Sequence, residues 1–305
     1  MAIDRDYVAS AALVAGLTFL SFFLFQALGV TAQEIVLQPI GLQGSLLSGG
    51  LDVGALIGRI VYDGLRFAFP LVAAVLAFSV LAVFGMSVGD DKRIGPAASA
   101  VGSMLGVAYA GVTFTSIAFA LGLIAASAFV TGSALRTYQV TTKWKNYESA
   151  KRAAGKGFLI VNVALSIGVF LTIFTNAQFY TDLYLKGIQE GVGSLIESEL
   201  SDAQLVERLP ANVREKYDAL PPERQKAFLQ EYRELIADQT FAPQDSNGIF
   251  AKLVTAYLYA APLVVFGALE LLRSFVLSPL AGVAAVPAMR RKQRLGLVRS
   301  ETIAG

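Results

Sequence analysis

The chain has 305 residues, 55% of them hydrophobic and only 16% charged, against about 25% charged in an ordinary soluble domain, which is too little charge to cover a water-exposed surface. It contains no Cys and no His, which removes the usual ligands for zinc, copper, haem and iron–sulfur clusters together with thiol and imidazole catalysts; no metal and no cofactor is expected. The formal net charge of +2 is the sum of opposed local patches and names no partner by itself.

The apolar residues gather in charge-free blocks longer than the roughly 20 residues that cross a bilayer core of about 30 Å. This predicts an all-α, polytopic transmembrane helix bundle of about five spans with a small extramembrane helical domain. Residues 1–181 form the membrane domain. The first span is expected near 7–30; its flank Asp4-Arg5-Asp6 lacks the basic start of a secretory signal, so it should stay in place. The connection that follows is apolar for a loop and carries Gly50, Gly54 and Gly58 at four-residue spacing, one face of a helix. Arg59, Asp63 and Arg66 make a charged stripe running to the membrane boundary, read as an interfacial anchor with snorkelling arginines.

The second span is expected near 67–88, between Arg66 and the turn Asp90-Asp91-Lys92-Arg93, with Pro70 near its start. No charge follows until Arg136, and the densest apolar part, near 104–131, reads as one tilted span, with a tight hairpin as the alternative. Gly102, Gly106 and Ala110 form a small-residue stripe suited to close helix approach, within the chain or between subunits. The basic connection then presents Arg136, Lys143, Trp144, Lys145, Tyr147, Lys151, Arg152 and Lys156. Anionic lipid is its simplest partner, and single-stranded nucleic acid is the alternative. The fourth span, near 157–181, contains Asn162 and Asn176.

Residues 182–252 carry helical signals. Pro221-Pro222 opens a helix whose apolar stripe is Phe228, Tyr232, Leu235 and Ile236, preceded by a second stripe of Leu185, Ile188, Val192 and Ile196. Such a hairpin either caps its own membrane domain or docks a partner. Within 253–289 the fifth span is placed at 253–272. Pro279 and Pro287 make 274–289 a poor helix, so that part is expected to be interfacial or re-entrant. Residues 290–305 form a basic tail with Arg290, Arg291 and Lys292. The bias of Lys and Arg among the short connections predicts a multi-pass protein of the cell membrane with its N-terminus outside, its C-terminus cytoplasmic and 182–252 outside.

A search for activated nucleophiles, phosphate loops and paired carboxylates finds no convincing arrangement, so the chain is read as non-enzymatic. Asp90-Asp91 lies beside Lys92-Arg93, which neutralises it. Glu270 and Arg273 are the most informative ionisable pair, because such groups near a span are costly unless paired, hydrated or functional. Their position about 20 residues after Lys252 favours the inner boundary of the fifth span; the sharper reading is an ion or substrate pathway shared with Asp63, Asn162 and Asn176. The leading expectation is a structural or channel-forming subunit of a translocation, secretion, DNA-transfer or energy-transducing complex, held to other membrane subunits or to its own copies. The alternative is an autonomous small-solute or ion transporter using Glu270 with Asp63 or Arg273.

Overall fold

A computed structural model describes residues 2–30, 53–183, 202–207, 209–241 and 249–296, and the described residues are helical throughout, with no strand. Five of the helices are long and apolar enough to cross a membrane. The chain divides into two compact units: Met1–Ile35, Tyr62–Thr175 and Ala260–Gly305 form the first, and Val36–Val61 with Asn176–Tyr259 the second.

In the first unit α1 (Ala2–Ala27), α2 (Val53–Ser87, which enters the unit at Tyr62), α3 (Ile94–Ala110), α4 (Phe114–Val140) and α5 (Lys145–Thr175) pack with the helical segment that begins at Ala260. Each runs against its predecessor. Ser21 of α1 donates to the Pro70 carbonyl of α2 at 2.7 Å, while Tyr7 packs edge-on against Phe84 at 5.8 Å, so α1 and α2 are antiparallel. Arg66 closes one end by donating to the Leu28 carbonyl.

The charge-free run 94–135 is not one span. It folds as the hairpin α3–α4, broken at Gly111, whose φ of +92° favours glycine, and restarted by a capping box between Thr113 and Ser116. The single helix expected over 104–131 is therefore corrected. Only glycine permits the contacts that hold this hairpin. A Cβ at Gly95 of α3 would lie 2.4 Å from the Ser127 carbonyl oxygen of α4, and a like contact joins α2 to α4, where a Cβ at Gly85 would lie 2.3 Å from the Thr131 carbonyl oxygen. The stripe of Gly102 and Gly106 is used inside the chain: it lets α3 rest on Ala15, Thr18 and Phe22 of α1, with Ala110 at the edge of the same core. Gly50 lies outside the described residues, as do the surroundings of Gly54, Gly58 and Asp63.

α5 returns antiparallel to α4, with Gly122 against Val161 and Ala164, and Gly168 against Phe114, Thr115 and Ala118. It begins at Lys145, well before the expected 157–181. The last helix is continuous where an interfacial or re-entrant segment was expected over 274–289. α9 (Ile249–Leu272) passes through a π-turn at Arg273–Leu277 into α10 (Ser278–Arg294). The carbonyl with which Pro279 clashes in a regular helix belongs to Phe275, inside the π-turn, where the register is already opened.

The contact between Lys292 and Asp6, joined by Ser87, ties the end of α10 to the start of α1 and the end of α2. The start of α1 and the end of α10 thus meet at one end of the first unit. Beside the five helices long and apolar enough to cross a membrane, α3 is a shorter apolar helix. Its 17 residues reach about 26 Å, close to the bilayer core.

In the second unit, short helices α6 (Asp202–Glu207) and α7 (Ala211–Asp218) and the longer α8 (Pro222–Phe241) enclose a small core of Leu205, Leu209 and Leu229. The expected proline-initiated helix is present, and Phe228 stacks on Tyr232 at 6.4 Å; Leu229 is the residue of α8 that this core buries. The stripe from Leu185 to Ile196 lies outside the described residues, as do the side chains of Leu235 and Ile236.

Candidate functional site

Gly155, Phe158, Asn162 and Val169 recur at helical spacing on α5 and are all buried, so Asn162 points inward. There it meets α9. Its amide donates to one carboxylate oxygen of Glu270 at 2.8 Å. The other oxygen receives Arg273, through Nε at 2.8 Å and through a terminal nitrogen at 2.6 Å. A further guanidinium nitrogen donates to the Gly155 carbonyl at 3.3 Å. A side chain at Gly155 would meet Ser278 at 3.0 Å and Arg273 at 3.5 Å, so the glycine lets the guanidinium reach the α5 backbone.

The depth of this cluster follows from its neighbours. Val161 and Ala164, which flank Asn162 in sequence, pack on Gly122 of α4. Gly122 lies midway between Phe114, beside the Gly111–Thr113 turn, and Thr131, which donates to Asp90 in the opposite turn at 3.3 Å. That stretch of α4 measures about 26 Å, so Asn162 lies near its middle. Arg273 reaches back from there to the Gly155 carbonyl, two residues from Gly157, which packs on Val130 beside Thr131.

Every carboxylate oxygen is satisfied, and the pair is formally neutral, which makes it tolerable at this depth. Two buried polar atoms nearby, Asn162 Oδ1 and Ser278 Oγ, have no hydrogen-bond partner among the described residues. The side chains of Glu270 and Arg273 retain 22% and 25% exposure, so the pair reaches the outer surface of the helix. On the same face Leu263 is exposed and Gly267 has open space where a side chain would stand. A π-turn directly follows, a feature common at functional sites.

Of the expected pathway residues the structure joins Glu270, Arg273 and Asn162. Asn176 is exposed beyond the end of α5, about 21 Å along the helix from Asn162. Gly155 and Ser278 were not legible as site residues, because one acts through its backbone carbonyl and the other is an ordinary helix serine. Among the described residues no group of three metal-ligating side chains forms.

The basic residues gather at the end of the bundle that holds the two termini. Lys151 and Arg152 pair with Glu148 at 3.5 and 3.4 Å. Lys145 lies over the Tyr138 ring at 4.3 Å, and Gln293 of α10 donates to the Tyr138 hydroxyl at 3.4 Å. Lys143, Arg290 and Arg291 are exposed, and Trp144, 79% exposed, stands at the hairpin tip with φ of +55°. Comparisons of this chain with protein-family models, with curated proteins and with solved structures find no match.

Proposed function

We propose that this protein is a non-enzymatic subunit of a larger cell-membrane complex, structural or channel-forming, in which a neighbouring subunit or a second copy covers the Glu270–Arg273 face of α9. One observation carries the reading. An ion pair on a helix long and apolar enough to cross a membrane, with 22% and 25% of its two side chains exposed, would face hydrocarbon if the chain stood alone, and such groups usually face a protein interior or a water-filled path. Gly267 beside it offers the close approach that small residues give to packed membrane helices. The measurement is the mass of the particle purified in mild detergent. A multimer or hetero-complex is expected, and a stable monomer in several detergents overturns the reading.

The end bearing Lys92, Arg93, Lys143, Arg290 and Arg291 faces the cytoplasm by the positive-inside rule, which puts both termini inside and the 111–113 turn outside. The cysteine-free chain suits single-cysteine labelling. Val112→Cys and Gln225→Cys should react from outside and Lys145→Cys from inside; Val112→Cys reacting from inside rejects a crossing by α3.

A transporter is the second reading, favoured by the unpartnered Asn162 Oδ1 beside the carboxylate, where a cation or a ligand donor has an acceptor to use. In liposomes, Glu270→Gln should then abolish coupled ion flux, and unchanged flux removes Glu270 from any such route.

A further inference from the structure

We infer that the outer face of α10, where the α4–α5 hairpin meets it, holds one acidic phospholipid, its phosphate on Arg290 and Lys145 and an acyl chain along Val283. This site goes beyond the subunit reading above and stands without it.

Two contacts with α2 set the depth of α10. Ser79 donates to the Ala281 carbonyl at 3.3 Å, and Lys292 donates to the Ser87 hydroxyl at 3.2 Å. Ser87 ends the apolar stretch Leu65–Ser87, and Ser79 lies about 12 Å inside it. Arg290 is two residues before Lys292 and so stands at headgroup level; Val283 is two residues after Ala281 and stands against hydrocarbon. Ala281, Ala285 and Met289 turn one face of α10 into the core, whereas Val283, Pro287 and Arg290, at i, i+4 and i+7 on the opposite face, are exposed. That exposed face runs from apolar to cationic over about 10 Å, the order in which a phospholipid presents chain and phosphate.

The hairpin supplies the second cation. Gln293, one turn beyond Arg290, donates to the Tyr138 hydroxyl at 3.4 Å, and Lys145 lies over the Tyr138 ring at 4.3 Å, so Tyr138 brings Lys145 to the end of α10. Neither Arg290 nor Lys145 makes an ion pair among the described residues. Tyr147 packs on Gly282, next to Val283, and Trp144, 79% exposed, stands edge-on to Tyr147 at 6.2 Å. Exposed tryptophan suits the boundary between hydrocarbon and headgroups.

Free phosphate or another soluble anion would use the cations alone and gain nothing from Val283. A ligand with a charged head and an apolar tail uses both. Phosphatidylcholine brings its own cation against Arg290, so an acidic headgroup is preferred.

The test titrates the full-length protein in maltoside detergent with phosphatidylglycerol or phosphatidylcholine and counts bound lipid by native mass spectrometry. One phosphatidylglycerol per chain should bind ahead of any other lipid. Arg290→Gln should weaken that first step about fivefold, and Arg290→Gln with Lys145→Gln about thirtyfold. Val283→Ser should weaken it although every cation remains. Arg136→Gln, on the face of α4 opposite Tyr138, should leave it unchanged. Size-exclusion profiles identical to the parent certify that the variants are folded. Equal binding of the two lipids, or parent affinity in the Arg290–Lys145 double variant, overturns the inference. So does an equal loss in Arg136→Gln, which means attraction by net charge alone, or release of the lipid by equimolar glycerophosphate, which means that only the phosphate is held.

Discussion

Where α3 meets α1 and α4, glycines bring backbones into contact; where α9 meets α5, an asparagine, a glutamate and an arginine make the join. The first arrangement depends on dispersion between closely approached surfaces, because lipid tails are as apolar as leucine and no hydrophobic force drives helices together in a bilayer. Its buried polar groups are uncharged hydroxyls: Ser127 donates to the Ile124 carbonyl of its own helix at 2.7 Å, while Ser103 and Ser133 have no hydrogen-bond partner among the described residues. The second arrangement leaves Asn162 Oδ1 without a partner and both charged side chains partly uncovered. Unpartnered buried hydroxyls occur in both regions, so what separates the second is its charge: a partly uncovered ion pair is costly beside apolar helices unless it is hydrated, covered or used.

The largest expected effect lies in the scaffold. Gly85→Leu forces a Cβ to within 2.3 Å of the Thr131 carbonyl oxygen, and overpacking a tight contact costs about 1–3 kcal/mol or more. Folded protein should be largely lost on size exclusion in detergent. Gly267→Leu is the counterpart on α9, where no atom lies within 4 Å. It should unfold no more readily than the parent, gaining up to about 1 kcal/mol of helix propensity, yet it should dissociate the complex if a neighbour packs there. Equal tolerance at the two sites would erase the distinction between the regions.

Much of the scaffold was legible, and the reason is physical. Charge-free blocks announce spans directly, because a charge within a span is expensive, and Pro222 at a helix start announces α8. The α3–α4 turn was not, because it is made by a single glycine and a hydroxyl cap inside a run with no charge. The continuity of α9 into α10 was hidden by Pro279, which ordinarily ends a helix and is accommodated here by a π-turn. At the candidate site Glu270 and Arg273 were visible as local charges. Their third partner was not, since Asn162 lies far away in sequence and is joined by one hydrogen bond.

A medium effect is expected from the ion pair. Removing Glu270 alone leaves Arg273 unmatched, held only by the Gly155 carbonyl. A fully buried pair broken in this way loses about 3–5 kcal/mol, and the partial exposure here lowers the expectation to about 2–3 kcal/mol for Glu270→Ala. The double variant Glu270→Ala with Arg273→Met should recover most of that loss, since no charge is then left without a partner. Chemical unfolding in detergent measures the cycle. Additive losses would mean that the two side chains do not form one unit and that the polar region owes its stability to something else.

The smallest effect is expected at Asn162, and it discriminates best between the two regions. Asn162→Leu removes one hydrogen bond to Glu270, and hydrogen bonds between membrane helices average about 0.6 kcal/mol. It also removes a buried oxygen that has no partner among the described residues, which offsets part of the loss. The net change in unfolding free energy should stay within about 0.5 kcal/mol, although Asn162 is only 1% exposed. A residue so deeply buried in the glycine-packed half would not be replaced at so little cost. A large loss would show that Asn162 belongs to the scaffold. A small one, joined to a changed particle mass or a changed ion flux, would show that the amide is kept to orient the Glu270 carboxylate and not to hold the bundle together.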